Sequence, residues 1–133
     1  MAALAGASAL HALWATGSSW PTSSPGELAD LVVGRRPMPG PAACATVAAA
    51  LAVAAGATAC TTSGRPGRLT GPSHTMATVA SAALLVRGVG GIAADLAGMV
   101  DATPAFRRWN RRLYNPLCVT LAFLIATASR SRS

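Results

Sequence analysis

From residue 42 to residue 62 the chain reads AACATVAAALAVAAGATACTT, without one charged side chain. A helix of that length rises about 30 Å, the thickness of a bilayer's hydrocarbon core. In that medium the backbone must satisfy its hydrogen bonds within the segment, which leaves little besides a helix. Its Ala, Gly and Thr content allows other helices to approach closely, so it reads as packing material. Three more apolar runs cover residues 2–18, 74–98 and 113–128. The reading is all-α: one domain, residues 1–133, folded as a four-helix transmembrane bundle with short loops and a short interfacial helix in loop one.

The charges support this. Only 11% of residues are charged, against about 25% in soluble domains, and most lie between the apolar runs. The formal charge of +7 comes from arginine alone. These arginines lie mainly in short loops and at the C-terminal end, with no basic helix or interleaved aromatics to read bases. The expected partner is therefore a lipid bilayer and not nucleic acid. Abundant Ala, Gly and Arg without Lys points to a high-GC, actinobacterial genome. Cys44, Cys60 and Cys118 lie in or beside apolar runs without CxxC spacing. They read as small buried hydrophobes. No metal site and no cofactor is expected.

The first run is slightly short for a span. No basic region follows Met1, and the run leads into Trp20-Pro21, so it reads as a retained span and not a signal peptide. Trp20 suits the membrane interface. In loop one, Ser24 with Glu27 three residues on is a helix-start signal. The helix it opens, over residues 27–33, ends at Arg35, Arg36 and the prolines at 37, 39 and 41. A second loop, residues 63–73, is short and polar.

Span three holds Arg87 and Asp95. A central charge costs about 2.5–3.5 kcal/mol on insertion scales, and such residues usually face the bundle interior. Eight residues separate the two, about 12 Å of helix rise, too far for a direct ion pair. Gly88, Gly90 and Gly91 between them allow a bend or a close backbone approach. If the apolar run ends near Ala94, Asp95 is interfacial instead. Loop three, residues 101–112, carries Phe106, Arg107, Arg108, Trp109, Arg111 and Arg112, a composition suited to an anionic membrane surface. Pro116 fits the first turn of span four.

Loops one and three share a side and hold Arg35, Arg36, Arg107, Arg108, Arg111 and Arg112. The other side holds Arg65, Arg68, Arg130 and Arg132. The balance favours loops one and three in the cytoplasm and both termini outside. The expected location is the bacterial inner (plasma) membrane, multi-pass.

Three stretches together resemble the DUF3995 family of small bacterial membrane proteins. They are His11-x-x-Trp14-x-x-Gly17 leading into Trp20-Pro21, then Arg87-Gly88 with the glycines after it, then Phe106 followed by Tyr114-x-Pro116-Leu117-Cys118. The resemblance extends over nearly the whole chain and implies a compact four-span bundle. It implies architecture and no particular chemistry.

Ionisable and aromatic residues gather at the loop-one and loop-three end. A carboxyl in a low-dielectric pocket stays protonated near neutral pH and can act as a general acid. Aromatic faces would stabilise a carbocation. The expected catalytic residues are Glu27 or Asp95 as acid, with His11 or Asn115 orienting it. Trp14, Trp20, Arg87, Tyr114 and Asn115 are the expected substrate-binding residues. The function this suggests is a membrane-embedded cyclase or isomerase acting on a lipophilic isoprenoid, a lipophilic small molecule being its second partner. The alternative is a non-catalytic small membrane protein: an accessory subunit, a lipid binder or a transporter component. In that case Trp20 and Trp109 are interfacial anchors, Glu27 marks a helix start and Asp95 partners a loop arginine.

Overall fold

The computed structural model describes residues 2–62 and 70–130, and among them every regular element is helical. The loop-two arginines Arg65 and Arg68, and Arg132, lie outside the described residues. The helices are α1 (Ala2–Ala15), α2 (Pro25–Val32), α3 (Pro41–Thr62), α4 (Thr70–Leu96), α5 (Pro104–Trp109) and α6 (Asn115–Arg130). A π-helical turn, Asn110–Tyr114, joins α5 to α6.

Local chemistry sets the helix ends. α1 stops three residues before the expected end because Thr16 folds back: its amide and hydroxyl both donate to Leu13 O, and Gly17 N–H donates to Trp14 O. α2 is the expected loop-one helix, with Ser24 Oγ accepting from Glu27 N–H at 3.2 Å. α4 ends at Leu96, where Gly98 N–H turns back to Asp95 O.

The largest departure from the sequence reading is in the third connection. Residues expected to form a loop are helical from Pro104 onward and run through the π turn into α6. Thr103 caps the start, its hydroxyl accepting from Phe106 N–H at 3.3 Å, and Pro104 occupies the first turn. No helix breaker follows until Pro116. In a regular α-helix that ring would meet the carbonyl of Arg112. The π turn lies just ahead of it, with Asn115 N–H donating to Asn110 O, and loosens that spacing.

Helix α1 packs on α3, α3 on α4, and α4 on α6, and α3 also touches α6. All four contribute to one core, where Leu4, Ala54, Ala77 and Ile125 meet. Serine hydroxyls tie neighbouring helices together: Ser8 Oγ donates to Ala48 O and Ser81 Oγ to Ala122 O, both at 2.8 Å. Such small polar residues allow close helix contact. Two helices, α3 and α4, are long and apolar enough to cross a membrane, and α1 is a shorter apolar helix. Cys44 is buried, but Cys60, expected inside, is exposed.

The first and third connections meet at one end. α2 packs on α5, Thr103 N–H donates to Gly34 O at 2.8 Å, and the Thr103 hydroxyl donates to Asp30 O. Gly34 is needed there. It takes a φ of +86°, and a Cβ would lie 2.7 Å from Ala102 Cβ and 2.8 Å from the Phe106 ring.

Candidate functional site

Most of the chain's charged chemistry lies at this end. Asp95, in the last turn of α4, is 6% exposed. Its Oδ1 accepts from Arg107 Nε at 3.3 Å, and its Oδ2 accepts from Arg111 Nε. Both carboxylate oxygens are thus engaged by guanidinium groups. The Asp95 carboxylate in turn pushes the Arg111 pKa up, chiefly by hydrogen bonding. Arg107 and Arg111 are four residues apart, so the α5 to π-turn run presents them on one side, toward the end of α4.

Arg87 makes a second group. It lies in α4, eight residues before Asp95, and among the described residues no hydrogen bond or ion pair joins the two. Its Nη1 donates to Asn115 Oδ1 at 2.9 Å and its Nη2 to Asn110 Oδ1 at 3.1 Å. The two asparagines are 0% and 3% exposed. They sit one helical turn apart across the π turn and draw the guanidinium toward the third connection. Close approach of α4 and α6 makes this reach possible. Gly88 faces Val119 and the Asn115 carbonyl, and Gly91 faces the Asn115 amide.

A third group caps α1. The His11 and Trp14 rings meet edge to face, centroids 4.9 Å apart. His11 Nδ1 lies 2.8 Å from Ala7 O, and Trp14 Nε1–H donates to Trp20 O at 2.8 Å. Trp20 itself is 61% exposed. The segment from Gly17 to Pro21 is therefore held to α1 by the Trp14 indole.

Glu27 is exposed. Its Oε2 accepts from the Ser23 hydroxyl at 2.5 Å and the Ser23 amide at 3.1 Å. These bonds hold its carboxyl below the usual glutamate value. Asp30 pairs with Arg36 at 2.6 Å and pushes the Arg36 pKa up. Tyr114 is half-buried. Its hydroxyl faces Leu31 O at 3.5 Å, and its ring lies 6.1 Å from the Phe106 ring. Desolvation pushes the phenol pKa up.

Of the residues selected from the sequence, Arg87 and Asn115 are brought into contact, as are His11, Trp14 and Trp20. Glu27, Asp95 and His11 are not joined to one another by any hydrogen bond or ion pair among the described residues. Asn115 was expected to orient a carboxyl, and it orients Arg87 instead. Sequence reasoning missed Asn110 and Thr103; it offered a loop arginine as partner to Asp95, and the structure supplies two, Arg107 and Arg111. The i, i+4 spacing of the two arginines and the Thr103-Pro104 start signal were the available clues.

Beside the Asp95 clamp is an open depression of about 470 Å³, lined by Ala102, Pro104, Arg107, Arg108, Arg111 and Arg112. Asp95 takes the Nε atoms of Arg107 and Arg111. Among the described residues, Arg108 and Arg112 form no ion pair. The depression is therefore strongly cationic, and its arginines can offer guanidinium N–H groups to an anion.

The family model described as "Protein of unknown function (DUF3995)" matches residues 4–125, most of the chain. No curated protein and no solved structure matches it. The chain belongs to the DUF3995 family.

Proposed function

Starting from that family membership, we propose that the chain is a multi-pass protein of the bacterial plasma membrane, a four-helix bundle formed by α1, α3, α4 and α6. We propose further that it is a non-catalytic binder of membrane amphiphiles. One observation carries the membrane reading. The helices α3 and α4 are apolar, yet only 28% and 11% of the residues in their most apolar windows are buried. The core helix of a soluble domain would be covered by protein. Here Val79, Val86, Val89 and, on α6, Phe123 are more than half exposed. Contiguous exposed apolar surface of this kind calls for a partner or a membrane, and hydrocarbon on both α4 and α6 is the simplest cover.

The position of Arg87 suits this reading. Its guanidinium is drawn by Asn110 and Asn115 toward the charged end, as an arginine snorkels to an interface. The non-catalytic reading is favoured because Asp95 has both oxygens on guanidinium groups and Glu27 is exposed and held ionised by Ser23. Neither has the setting of a neutral proton donor in a dry pocket.

A second reading, an acid-catalysed cyclase or isomerase of lipophilic isoprenoids, draws on the His11, Trp14 and Trp20 group, which places aromatic faces beside an ionisable ring. It requires a carboxyl to leave its present partners.

Alkaline carbonate washing of membranes, combined with reporter fusions in each connection, tests the primary reading. The expected result is retention in the membrane pellet, with the first and third connections cytoplasmic. Recovery of intact protein in the wash would overturn it.

A further inference from the structure

We propose that the four-arginine depression is a binding site for the phosphate headgroup of an anionic phospholipid. The inference rests on the membrane reading above and names the ligand of its charged end.

The nearly buried Asp95 accepts from the Nε of both Arg107 and Arg111. That arrangement fixes two guanidinium planes and leaves their Nη edges for another acceptor. Arg108 and Arg112 line the same depression, each one residue beyond a clamped arginine. With one carboxylate against four guanidinium groups, the site keeps a positive excess of about three charges. Guanidinium forks match the paired oxygens of a phosphate, and they do so better than an ammonium does. Asp95 is the positioning residue of this site.

The depression sits where the apolar helices end. Leu96 and Met99, at the close of α4, are about 80% exposed, and Trp109 and Leu113 are nearly half exposed. An amphiphile with its phosphate among the arginines would have its chains beside this apolar rim and along the uncovered faces of α4 and α6. A free anion would use the charges and leave the rim uncovered. At about 470 Å³ the depression is in the range of small-molecule sites.

The test uses the full-length protein in dodecyl maltoside, titrated with dioctanoyl-phosphatidylglycerol and read by native mass spectrometry. Parallel titrations use dioctanoyl-phosphatidylcholine and inorganic phosphate. The expected result is saturable binding of phosphatidylglycerol in preference to both. The double variant Arg108→Gln/Arg112→Gln should weaken it about 25-fold, roughly fivefold for each arginine facing an anionic headgroup. Arg108→Lys/Arg112→Lys should also weaken it severalfold, because lysine keeps the charge and loses the fork. Asp95→Asn should weaken it too, since the clamp is lost. Arg35→Gln, in the first connection, should leave it unchanged.

Undiminished binding in the lysine variant would mean diffuse charge attraction and would overturn the proposal. So would equal or tighter binding of inorganic phosphate. A protein that stays in carbonate-washed membranes yet binds no phosphatidylglycerol refutes this inference alone. A protein that washes off refutes the membrane reading first.

Discussion

Replacing Gly88 with alanine puts the contact between α4 and α6 to a sharp test. A Cβ at Gly88 would lie 2.7 Å from Val119 Cγ2, 3.0 Å from the Asn115 carbonyl oxygen and 3.1 Å from the Val119 nitrogen. Two of those atoms are backbone. The third belongs to a β-branched side chain with little freedom at χ1. Relief therefore requires the helices to move apart, and overpacking of this kind costs about 1–3 kcal/mol. Alanine returns up to about 1 kcal/mol through helix propensity. With the full return, the net expectation is a loss of up to about 2 kcal/mol. Gly90, two residues on in the same helix, provides the control, because nothing lies within 4 Å of its would-be Cβ. There the same substitution should stabilise by about 0.4–1 kcal/mol. Unfolding in mixed micelles, followed by far-ultraviolet circular dichroism during a dodecyl sulfate titration, reads both variants. Opposite signs are expected. If Gly88→Ala is as stable as Gly90→Ala, α4 and α6 do not approach as described, and the reach of Arg87 to Asn115 loses its basis.

Three further outcomes follow from the charged end. Tyr114 is the chain's single tyrosine, so absorbance at 295 nm during alkaline titration reports it alone. Its midpoint should lie above the ordinary 10.0 in the folded protein, so the stability it lends is present below pH 10 and lost as pH rises through the shifted value. A midpoint at or below 10 would mean the ring is not desolvated against α2 and α5. Glu27 behaves in the opposite sense. Its carboxyl sits below the ordinary 4.5, so its support for α2 is complete above that pH and fades as pH falls through the lowered value. Hydrogen exchange of the α2 amides should quicken there, and Glu27→Gln should remove the pH dependence. Glu27→Gln and Asp95→Asn, each expressed with a prenylated candidate substrate, should give unchanged product profiles. Loss of a cyclised product in either would favour the acid-catalysed reading over the non-catalytic one.

The helical class was legible because runs such as residues 42–62 leave the backbone few alternatives. The end of α1 was less so, because Thr16 can continue a helix or fold back, and here its hydroxyl takes Leu13 O. The helical third connection was missed for a related reason. Its arginines and aromatics read as a loop at an anionic membrane surface, while Thr103 and Pro104 supply a cap and first turn that composition hides. Convergence of polar residues on one end was readable from topology, since loops separated by two helices return to the same side. Pairing within that end was not. Whether Asp95 meets Arg107 and Arg111 or stands free depends on the phase of the helix after Pro104 and on the extra residue in the π turn. Neither leaves a mark on hydropathy. Asn110 looked like a loop residue for the same reason, and the structure buries it beneath Arg87.

The central claim is that lipid covers the exposed faces of α4 and α6. Spin labels at Val79, Val86 and Val89, one at a time, in protein reconstituted into phosphatidylcholine bilayers, test it most directly through their relaxation by oxygen and by a water-soluble nickel chelate. Oxygen should dominate at all three positions, and a label at the exposed Arg35, in the first connection, should show the reverse. Dominance of the nickel chelate along Val79, Val86 and Val89 would place that face in water and contradict the account.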